Sequence, residues 1–537
     1  MKRSLVATAA MLVLAAAVLV TVTLRLDGTA TPLAYTAQLV RGDAGAAEGL
    51  RFQSAIQYGS RLRWTTEYDV ASDQWETVHT LVRDTRQQYY DRQVDPSSRS
   101  YDAYNTQYIS VLLQSGDPLA EHLKAGYEAN AESNDTGYRT EYTERVRLRD
   151  YYDVYPLCLS DSRAGVVDQY FDDDASDQRS LTRFDKLRIP VGEDDWMEPT
   201  VSTYGQGHWY LSGDNTLYAE STFTGYSLAY EKALLTTVGF GPSARPQADW
   251  APDGFGLWYI PYAEFSHEYA AGSSYIVRKP DVDNARLVCP LDIAAQRVVG
   301  LQFTYDRSEV LLTTAEDGQY VLRVLDADTF RCRQTIALGQ TAEPIHVTDG
   351  MQPSGELITG ALEVYAEPSY NSREGLLVCC INNTLTVLRP SGGGWAVDFS
   401  TTLLWPDSDE NGMAWSDTPI AYNEDRWWYG VNYSRGFFAN LALLPMVYHD
   451  GKLALASSTS GGNQVLVEVY DATGLLYGAV LDAGLDSQLM STPWGFYNPL
   501  YCPNLYWDGK KAKRDTAGAV SLFACSCLCH NISSTQW

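Results

Sequence analysis

Short apolar runs separated by turn residues follow one another from about Arg51 onward. This pattern is typical of β-strands, because a helix would instead place apolar residues every three or four positions. The clearest example spans residues 309–337, where predicted strands at 309–314, 319–325 and 331–337 are separated by two tight turns. A three-stranded meander of this length is what one sheet of a β-propeller requires.

Other segments predict further hairpins with turn residues between their strands. The predicted pairs of strands are 443–449 with 452–456, 376–381 with 384–388, and 209–211 with 216–219.

Two segments are predicted to be helical, 117–131 and 77–92. The first is the clearer one, because Pro118 suits a first helical turn and Leu119 and Leu123 lie on one face. Both helices are expected in an insertion or in an irregular early sheet.

One internal similarity indicates a repeat. Residues 319–327 and 464–472, which are 145 positions apart, both read as a strand that ends in an Asp-Ala turn before another strand. If this offset equals three repeats, each repeat covers about 48 residues, which suits a four-stranded blade. The sequence therefore predicts an all-β fold, a β-propeller of about seven to eight irregular four-stranded blades. Two strands of a sandwich that match by coincidence are the alternative.

Two short motifs resemble those of bacterial extracytoplasmic propellers. Residues 250–254, Trp-Ala-Pro-Asp-Gly, precede the apolar strand 257–260 and are similar to the signature of TolB-type and related WD40-like propellers. Residues 471–474, Asp-Ala-Thr-Gly, resemble the turn of quinoprotein-like propeller repeats. The resemblance implies an extracytoplasmic scaffold that binds partners or ligands on its faces, usually without chemistry of its own.

An uncharged, largely apolar run of 21 residues, 4–24, follows Lys2 and Arg3 and precedes Arg25. A helix of that length rises about 31 Å, enough to cross a hydrocarbon core. The positive charges before the run keep that end in the cytoplasm. The run therefore predicts a single-pass membrane anchor, with the bulk of the chain on the extracytoplasmic side. A cleaved signal peptide, with residues 28–30 as its cleavage site, is the alternative.

Composition narrows the class of partner. The net charge of −27 argues against nucleic acid, because affinity for phosphates comes from Lys and Arg. The 37 Tyr and 14 Trp favour strands and predict a Tyr-covered outer face. The nine Cys are an odd number and cannot all pair within one chain, so most are predicted to be small buried hydrophobes.

One acidic segment is a candidate calcium site. Asp407, Asp409 and Asn411 have the 1, 3, 5 spacing of a calcium loop, and Gly412 stands at the sharp-turn position 6. Carboxylate and amide oxygens at that spacing can converge on one hard cation. The twelfth position, Thr418, lacks the bidentate Glu, so an ordinary acidic turn is the alternative. No other cofactor is expected.

The densest aromatic patch is a candidate ligand-binding surface. In a strand, Trp427 and Tyr429 face one way and Trp428 faces the other. One side is expected to belong to the core. The other is a candidate stacking platform for a sugar or a peptide.

No complete catalytic signature is present in the sequence. The first hypothesis is therefore a membrane-anchored binding scaffold for a protein, peptide or envelope glycan, and an accessory subunit of an envelope complex is a structural variant of it. The alternative is a secreted glycoside hydrolase or sialidase-like enzyme, because residues 408–415 resemble a degenerate Asp-box turn of sialidase-like propellers. Such an enzyme would also need an arginine cluster and a Tyr/Glu pair on one face.

The predicted domains follow from these patterns. They are an anchor at 1–30, a propeller at 31–508 with a short helical insertion near 117–131, and a tail at 509–537 that is basic and then contains Cys.

Overall fold

The structure is a computed structural model, and it describes most of the chain between residues 36 and 482 together with two shorter segments. The described residues are 11–18, 20–21, 36–58, 62–81, 107–111, 113, 116–130, 141–161, 169–170, 182–204, 208–211, 216–218, 223–229, 233–270, 273–347, 350–351, 357–358, 362–373, 375–382, 384–404, 406–409, 412–415, 445–458, 464–482 and 504–508.

These residues form antiparallel strands almost throughout, with one longer helix, α1, at Pro118–Asn130. The strands before residue 292 are β1 Thr36–Gly42, β2 Leu50–Tyr58, β3 Leu62–Asp69, β4 Gln74–Leu81, β5 Gln107–Val111, β6 Glu141–Thr143, β7 Val146–Arg147, β8 Leu157–Asp161, β9 Gln169–Tyr170, β10 Thr182–Arg183, β11 Trp196–Glu198, β12 Thr200–Tyr204, β13 His208–Leu211, β14 Thr216–Tyr218, β15 Phe223–Ala229, β16 Ala233–Phe240, β17 Phe255–Ala270, β18 Ser273–Pro280 and β19 Arg286–Leu291.

The later strands continue the same architecture. They are β20 Arg297–Phe303, β21 Glu309–Glu316, β22 Gln319–Asp326, β23 Cys332–Thr341, β24 Ile345–Val347, β25 Gly350–Met351, β26 Leu357–Ile358, β27 Leu362–Val364, β28 Ser369–Arg373, β29 Leu376–Ile381, β30 Thr384–Ser391, β31 Gly394–Thr402, β32 Pro406–Asp409, β33 Gly412–Trp415, β34 Met446–His449, β35 Lys452–Ser458, β36 Gln464–Asp471, β37 Gly474–Asp482 and β38 Asn504–Trp507.

The predicted meander at 309–337 is confirmed. β21 and β22 pair in an unbroken antiparallel register, and β20 and β23 flank them to complete a four-stranded sheet. Asp317 and Gly318 join β21 to β22 with φ values of 48° and 72°, the left-handed conformations that a two-residue hairpin turn requires.

Two of the three predicted hairpins are also confirmed. β34 pairs with β35 across Asp450 and Gly451, and β29 pairs with β30 across the turn at Asn382. The third is wrong, because β13 pairs with β12 and β9 while β14 pairs with β11. β12 and β13 are joined by only three residues, a shorter connection than the four between β13 and β14, so the local partner of β13 is the strand before it.

The helix predicted at 77–92 is wrong where the structure describes it. Thr77 and Val78 lie in β4, which pairs antiparallel with β3. Their branched side chains favour extended backbone, and the register with β3 supplies partners for it. The rest of this segment, 82–92, lies outside the described residues.

The helix predicted at 117–131 is confirmed as α1. Leu119, Leu123 and Tyr127 are 0%, 0% and 5% exposed, so the predicted apolar face is the buried one. They belong to a core cluster that also includes residues of β16 and β17.

The internal similarity at 319–327 and 464–472 is confirmed as a structural repeat. β22 and β36 are each the third strand of a four-strand meander, β20–β23 and β34–β37. Each strand ends in an Asp whose Oδ1 accepts a hydrogen bond from the backbone N–H two residues later. The N–H of Asp328 donates to Asp326, and the N–H of Thr473 donates to Asp471. The same turn therefore closes the third strand in both sheets.

The chain forms two compact units, and the first comprises Met1–Asp95 and Leu444–Trp537. Its described strands form two sheets, β38-β2-β3-β4 and β1-β37-β36-β35-β34. Each sheet therefore combines strands from both ends of the sequence. One core cluster joins the two sheets and includes Phe52, Tyr68, Val467 and Trp507.

The second unit comprises Pro96–Leu443 and carries four-stranded sheets that pack face to face. Sheet β20–β23 is buried on both faces. Val310 and Leu312 face a cluster shared with β16 and β17, whereas Leu311 faces a cluster shared with β29 and β30. This two-sided burial explains why β21 is apolar without the alternation of a half-exposed strand.

The predicted Tyr-covered outer face is wrong for four tyrosines. Tyr68, Tyr320, Tyr370 and Tyr470 are among the largest fully buried side chains. Most have a polar partner inside the protein: the Oη of Tyr370, for example, lies 2.5 Å from the Oγ1 of Thr313. Such hydrogen bonds lower the cost of burying a phenol.

Four of the five described cysteines are buried and free, at positions 158, 289, 379 and 380, as predicted for most of them.

The predicted anchor at 4–24 lies mostly outside the described residues. Residues 11–18 and 20–21 are described and helical, and their large apolar side chains are exposed, Leu12 by 68% and Val13 by 70%. No helix in the described part of the chain is long and apolar enough to cross a membrane.

Candidate functional site

Three edge strands of successive sheets approach one another in the second unit. They are β15, β20 and β28, each at the border of its own sheet. The side-chain amide of Gln302 in β20 bridges to the backbone of Tyr370 in β28, donating to its oxygen at 3.1 Å and accepting from its N–H at 3.2 Å. An edge strand has unpaired backbone groups, and here a side chain from the neighbouring sheet satisfies some of them.

Two glycines allow this close approach. A Cβ at Gly239 would lie 2.1 Å from the backbone oxygen of Val298 and 2.9 Å from the ring of Tyr226. A Cβ at Gly300 would lie 2.5 Å from the Cγ of Pro368. Any side chain at either position would therefore push the neighbouring segment away.

The result of this approach is a Tyr–Glu pair. Tyr226 lies in β15, Glu367 lies two residues before β28, and the Oη of Tyr226 donates to Oε1 of Glu367 at 3.2 Å. Tyr226 is half-buried and Glu367 is exposed, so water reaches the pair. These two side chains are 141 positions apart in the sequence.

The surroundings of Glu367 disfavour the charged form of its carboxyl group. Desolvation by the surrounding protein raises the pKa of this carboxyl to about 7, and the hydrogen bond from Tyr226 acts in the opposite direction. A fully solvated carboxyl would keep its ordinary pKa, because bulk water would stabilise the charged form.

Tyr226 remains protonated at physiological pH. Its surroundings, and then Glu367, raise its pKa well above the ordinary value for tyrosine. It therefore acts as a hydrogen-bond donor rather than as a nucleophile, since a nucleophilic tyrosine would need a lowered pKa. The pair can offer a ligand a carboxyl group that titrates near neutral pH and a fixed phenolic hydroxyl.

A second polar cluster lies on the surface of the same unit. Both carboxylate oxygens of Glu144 lie 3.1 Å from Nε2 of His122, and the Oη of Tyr142 donates to Oε2 of Glu144 at 2.6 Å. Burial alone would raise the pKa of Glu144, but the two hydrogen bonds and the nearby imidazole outweigh it, so the net pKa is lowered. The cluster joins α1 to β6, and its partners satisfy one another, as in a structural ion pair.

The structure places only part of the predicted calcium site. Asp407 and Asp409 lie in β32, which pairs with β33, and Asn411 lies outside the described residues. In the part of the chain that the structure describes, no three His, Cys, Asp or Glu side chains cluster as metal ligands. Calcium binding stays a prediction.

The predicted aromatic surface, Trp427, Trp428 and Tyr429, lies outside the described residues. The Tyr226–Glu367 pair was missed by the sequence analysis. No local motif marks either residue, and the one available signal, a Pro directly before a strand at Pro368, is common in loops.

No family model matches the chain. No curated protein matches its sequence.

The solved structures to which the chain is similar include β-propellers of the WD40 and TolB types. The β-propeller domain of Cps50 (Swd1) from Myceliophteria thermophila shares 7% identity, with 62% of this chain and 86% of that one covered, at a TM-score of 0.20. TolB from Acinetobacter baumannii shares 11%, with 84% and 86% covered, at a TM-score of 0.16. The C-terminal WD40 domain of Sif2 shares 11%, with 56% and 92% covered, at a TM-score of 0.16. These low values identify no individual relative, and the resemblance to TolB/WD40-like propellers stays a prediction from the sequence.

Proposed function

We propose that this protein is a membrane-anchored, extracytoplasmic β-propeller that binds a protein, peptide or envelope glycan. The observation that carries the proposal is the Tyr226–Glu367 pair, which forms where the edge strands of three successive sheets meet. A few polar groups that converge in this way are a common part of a ligand site.

Binding is favoured over catalysis by the number of titratable groups. Glycoside hydrolysis needs two carboxyl groups about 5 to 10 Å apart. Among the described residues, the groups that shift the pKa of Glu367 are its desolvating surroundings and Tyr226, and no second carboxylate contributes.

The proposed location rests on the N-terminal apolar run. Its described part, residues 11–18, is helical and exposes its apolar side chains. An exposed apolar helix costs free energy in water and gains it in lipid. We expect the full chain to fractionate with membranes and to be cleaved by protease added outside intact cells. Recovery of the full chain in the soluble fraction would contradict the anchor.

The binding proposal is tested with arrays of envelope glycans and peptides, probed with the full chain in detergent. We expect binding that Glu367→Gln weakens and that the control Asp328→Asn leaves unchanged, because Asp328 is an exposed turn residue in another loop. Equal binding by wild type and Glu367→Gln would contradict the Tyr226–Glu367 pair as the site.

A glycoside hydrolase is the second candidate, and the Tyr226–Glu367 pair is the observation that favours it. A carboxyl group with a pKa of about 7 is suited to general acid catalysis at neutral pH. Turnover of fluorogenic glycosides by wild type that is abolished in Glu367→Gln would replace the binding proposal with this one.

A further inference from the structure

We propose that two copies of this chain associate through the hairpin that β17 and β18 form beyond their sheet, residues 262–280, which we call the arm. The edge of β18 in one copy pairs antiparallel with the same edge in the other. The contact is then one continuous four-stranded sheet made from two hairpins. This proposal goes beyond the proposed function and does not depend on it.

The arm begins where β17 leaves its other partners. β17 pairs with β16 as far as Pro261 and with β19 as far as Tyr259. From Glu264 to Ala270 it pairs with β18 in an unbroken register. Seven residues at the spacing of a strand extend the hairpin by about 23 Å. Among the described residues, no other strand pairs with β18.

The base of the arm is fixed by hydrogen bonds. The backbone N–H of Asp281 donates to the oxygen of Pro261 at 2.7 Å. The carboxylate of Asp281 accepts from the backbone N–H of Asn284 at 3.3 Å and from its side-chain amide at 2.7 Å. Beyond this base the arm has two strands, and a two-stranded hairpin alone is only marginally stable in water. Further strands on its edge would stabilise it.

The edge of β18 lacks the features that discourage pairing. Three edge strands of the second unit, β19, β23 and β31, each contain a shift in register against their neighbour. Such bulges twist an edge away from other strands. β18 contains none between Ser273 and Lys279, and residues 273–277 include no charge and no proline. A regular edge of this kind is a template for another strand.

The sequence of β18 is compatible with pairing to itself. With a two-fold axis at Ile276, Tyr275 of one copy lies opposite Val277 of the other, and Ser274 lies opposite Arg278. Aromatic and β-branched residues form favourable cross-strand pairs, and no like charges lie opposite each other. A two-fold contact uses the same surface on both copies, so the assembly closes as a dimer.

Charge also favours this part of the chain as the contact. The net charge of −27 makes two copies repel each other. β18 has no acidic residue and contains Arg278 and Lys279. The length of the arm, about 23 Å, exceeds the distance of about 8 Å over which exposed charges act at physiological ionic strength. Two copies that meet at their arms therefore avoid much of the repulsion.

Disulfide trapping on the full chain in detergent tests the register. Ile276→Cys places each new thiol opposite its counterpart, where Cα atoms about 4.5 to 5.5 Å apart are within reach of a disulfide. Ser274→Cys is the matched control, because its two copies would lie about 14 Å apart. Copper-phenanthroline supplies the oxidant that takes up the two electrons. We expect a covalent dimer of Ile276→Cys, with Ser274→Cys at the background of wild type.

Sedimentation equilibrium of the full chain in detergent tests the association itself. Ile276→Lys sets two like charges opposite each other and should weaken the dimer about 100-fold. His267→Lys is the matched control, because it adds the same charge on β17, at the position paired with Ile276 and one strand away from the axis. Thermal denaturation checks that both variants fold.

Three results would overturn the proposal. A dimer that Ile276→Lys leaves intact, or equal trapping at positions 274 and 276, would place the contact elsewhere. A monomeric wild type would leave the edge of β18 to a strand of another protein. Because trapping of Ile276→Cys adds no charge, it decides between these results even if Ile276→Lys fails to fold.

Discussion

At the scale of single residues, two buried ionisable side chains occupy equivalent positions in the structural repeat. Arg323 in β22 and Glu468 in β36 are both the fifth residue of their strands. Arg323 is neutralised by Glu316, whose Oε2 lies 2.8 Å from its guanidinium. Glu468 is 0% exposed, accepts one hydrogen bond from Tyr470, and its Oε2 has no partner among the described atoms. The pKa of Glu468 is therefore raised to about 8 by burial.

Glu468 should make the protein less stable as the pH rises. Its pKa in the folded state, about 8, lies above the ordinary value of 4.5, so the folded state binds more protons between these values. The stabilising contribution is complete below pH 4.5 and is lost as the pH rises through 8. Between pH 5 and 9, wild type should lose on the order of 3 kcal/mol more unfolding free energy than Glu468→Gln. Urea denaturation at the two pH values, with Asp328→Asn as the control, measures this difference. Parallel pH profiles of stability for wild type and Glu468→Gln would contradict the raised pKa of Glu468.

At the scale of elements, local turn chemistry was predictable and the pairing of distant strands was not. Asp-Gly turns specify their own hairpins, and the one that joins β34 to β35 was correctly predicted from two residues. β13 was given the wrong partner because its neighbours on both sides offer strand-like sequences. The choice between them depends on register and connection length.

The candidate site belongs to the unpredictable part for the same reason. Tyr226 and Glu367 are brought together only when β15, β20 and β28 pack, and nothing near either residue indicates the other. The close approach of these strands depends on Gly300, because Pro368 occupies the place where a Cβ at position 300 would be.

Gly300→Ala should therefore destabilise the protein by about 1–3 kcal/mol, the cost of overpacking a closely packed contact. It should also weaken ligand binding, because Glu367 moves with Pro368. Pro368→Ala removes the atoms that clash, so the double variant should recover much of the loss. Thermal denaturation and binding, measured for both single variants and the double variant, give the coupling energy between positions 300 and 368. Strictly additive effects would show that the contact between β20 and the segment before β28 is unimportant.

At the scale of the whole molecule, the two ends of the sequence share sheets in the first unit. Arg51 in β2 and Asp508, just after β38, form an ion pair at 2.8 Å although they are 457 positions apart. β1 pairs with β37 in the same way. Pairing of this kind leaves fewer free edges in these two sheets. The sequence pattern predicted the strands, but the pairing of the two chain ends depends on contacts between residues that no local pattern relates.

Trp507 tests the pairing of the two chain ends. It is 3% exposed and packs with residues of β2 and β36 in one cluster, so Trp507→Ala should cost about 3–5 kcal/mol. Val40 in β1 is 51% exposed, and Val40→Ala should cost less than about 0.5 kcal/mol. Chemical denaturation of both variants makes the comparison. A similar, small effect for the two would contradict a stabilising role for β38.

The central claim is that the Tyr226–Glu367 pair belongs to a ligand-binding site, and the titration of Glu367 tests this most directly. Carbon-13 labelling of glutamate, with Glu367→Gln to assign the signal, follows its carboxyl by NMR on the full chain in detergent. Desolvation of Glu367 predicts a midpoint near pH 7 that shifts when a ligand is bound. A midpoint near the ordinary value of 4.5, unchanged by the ligand, would place Glu367 on an open surface and contradict the proposed site.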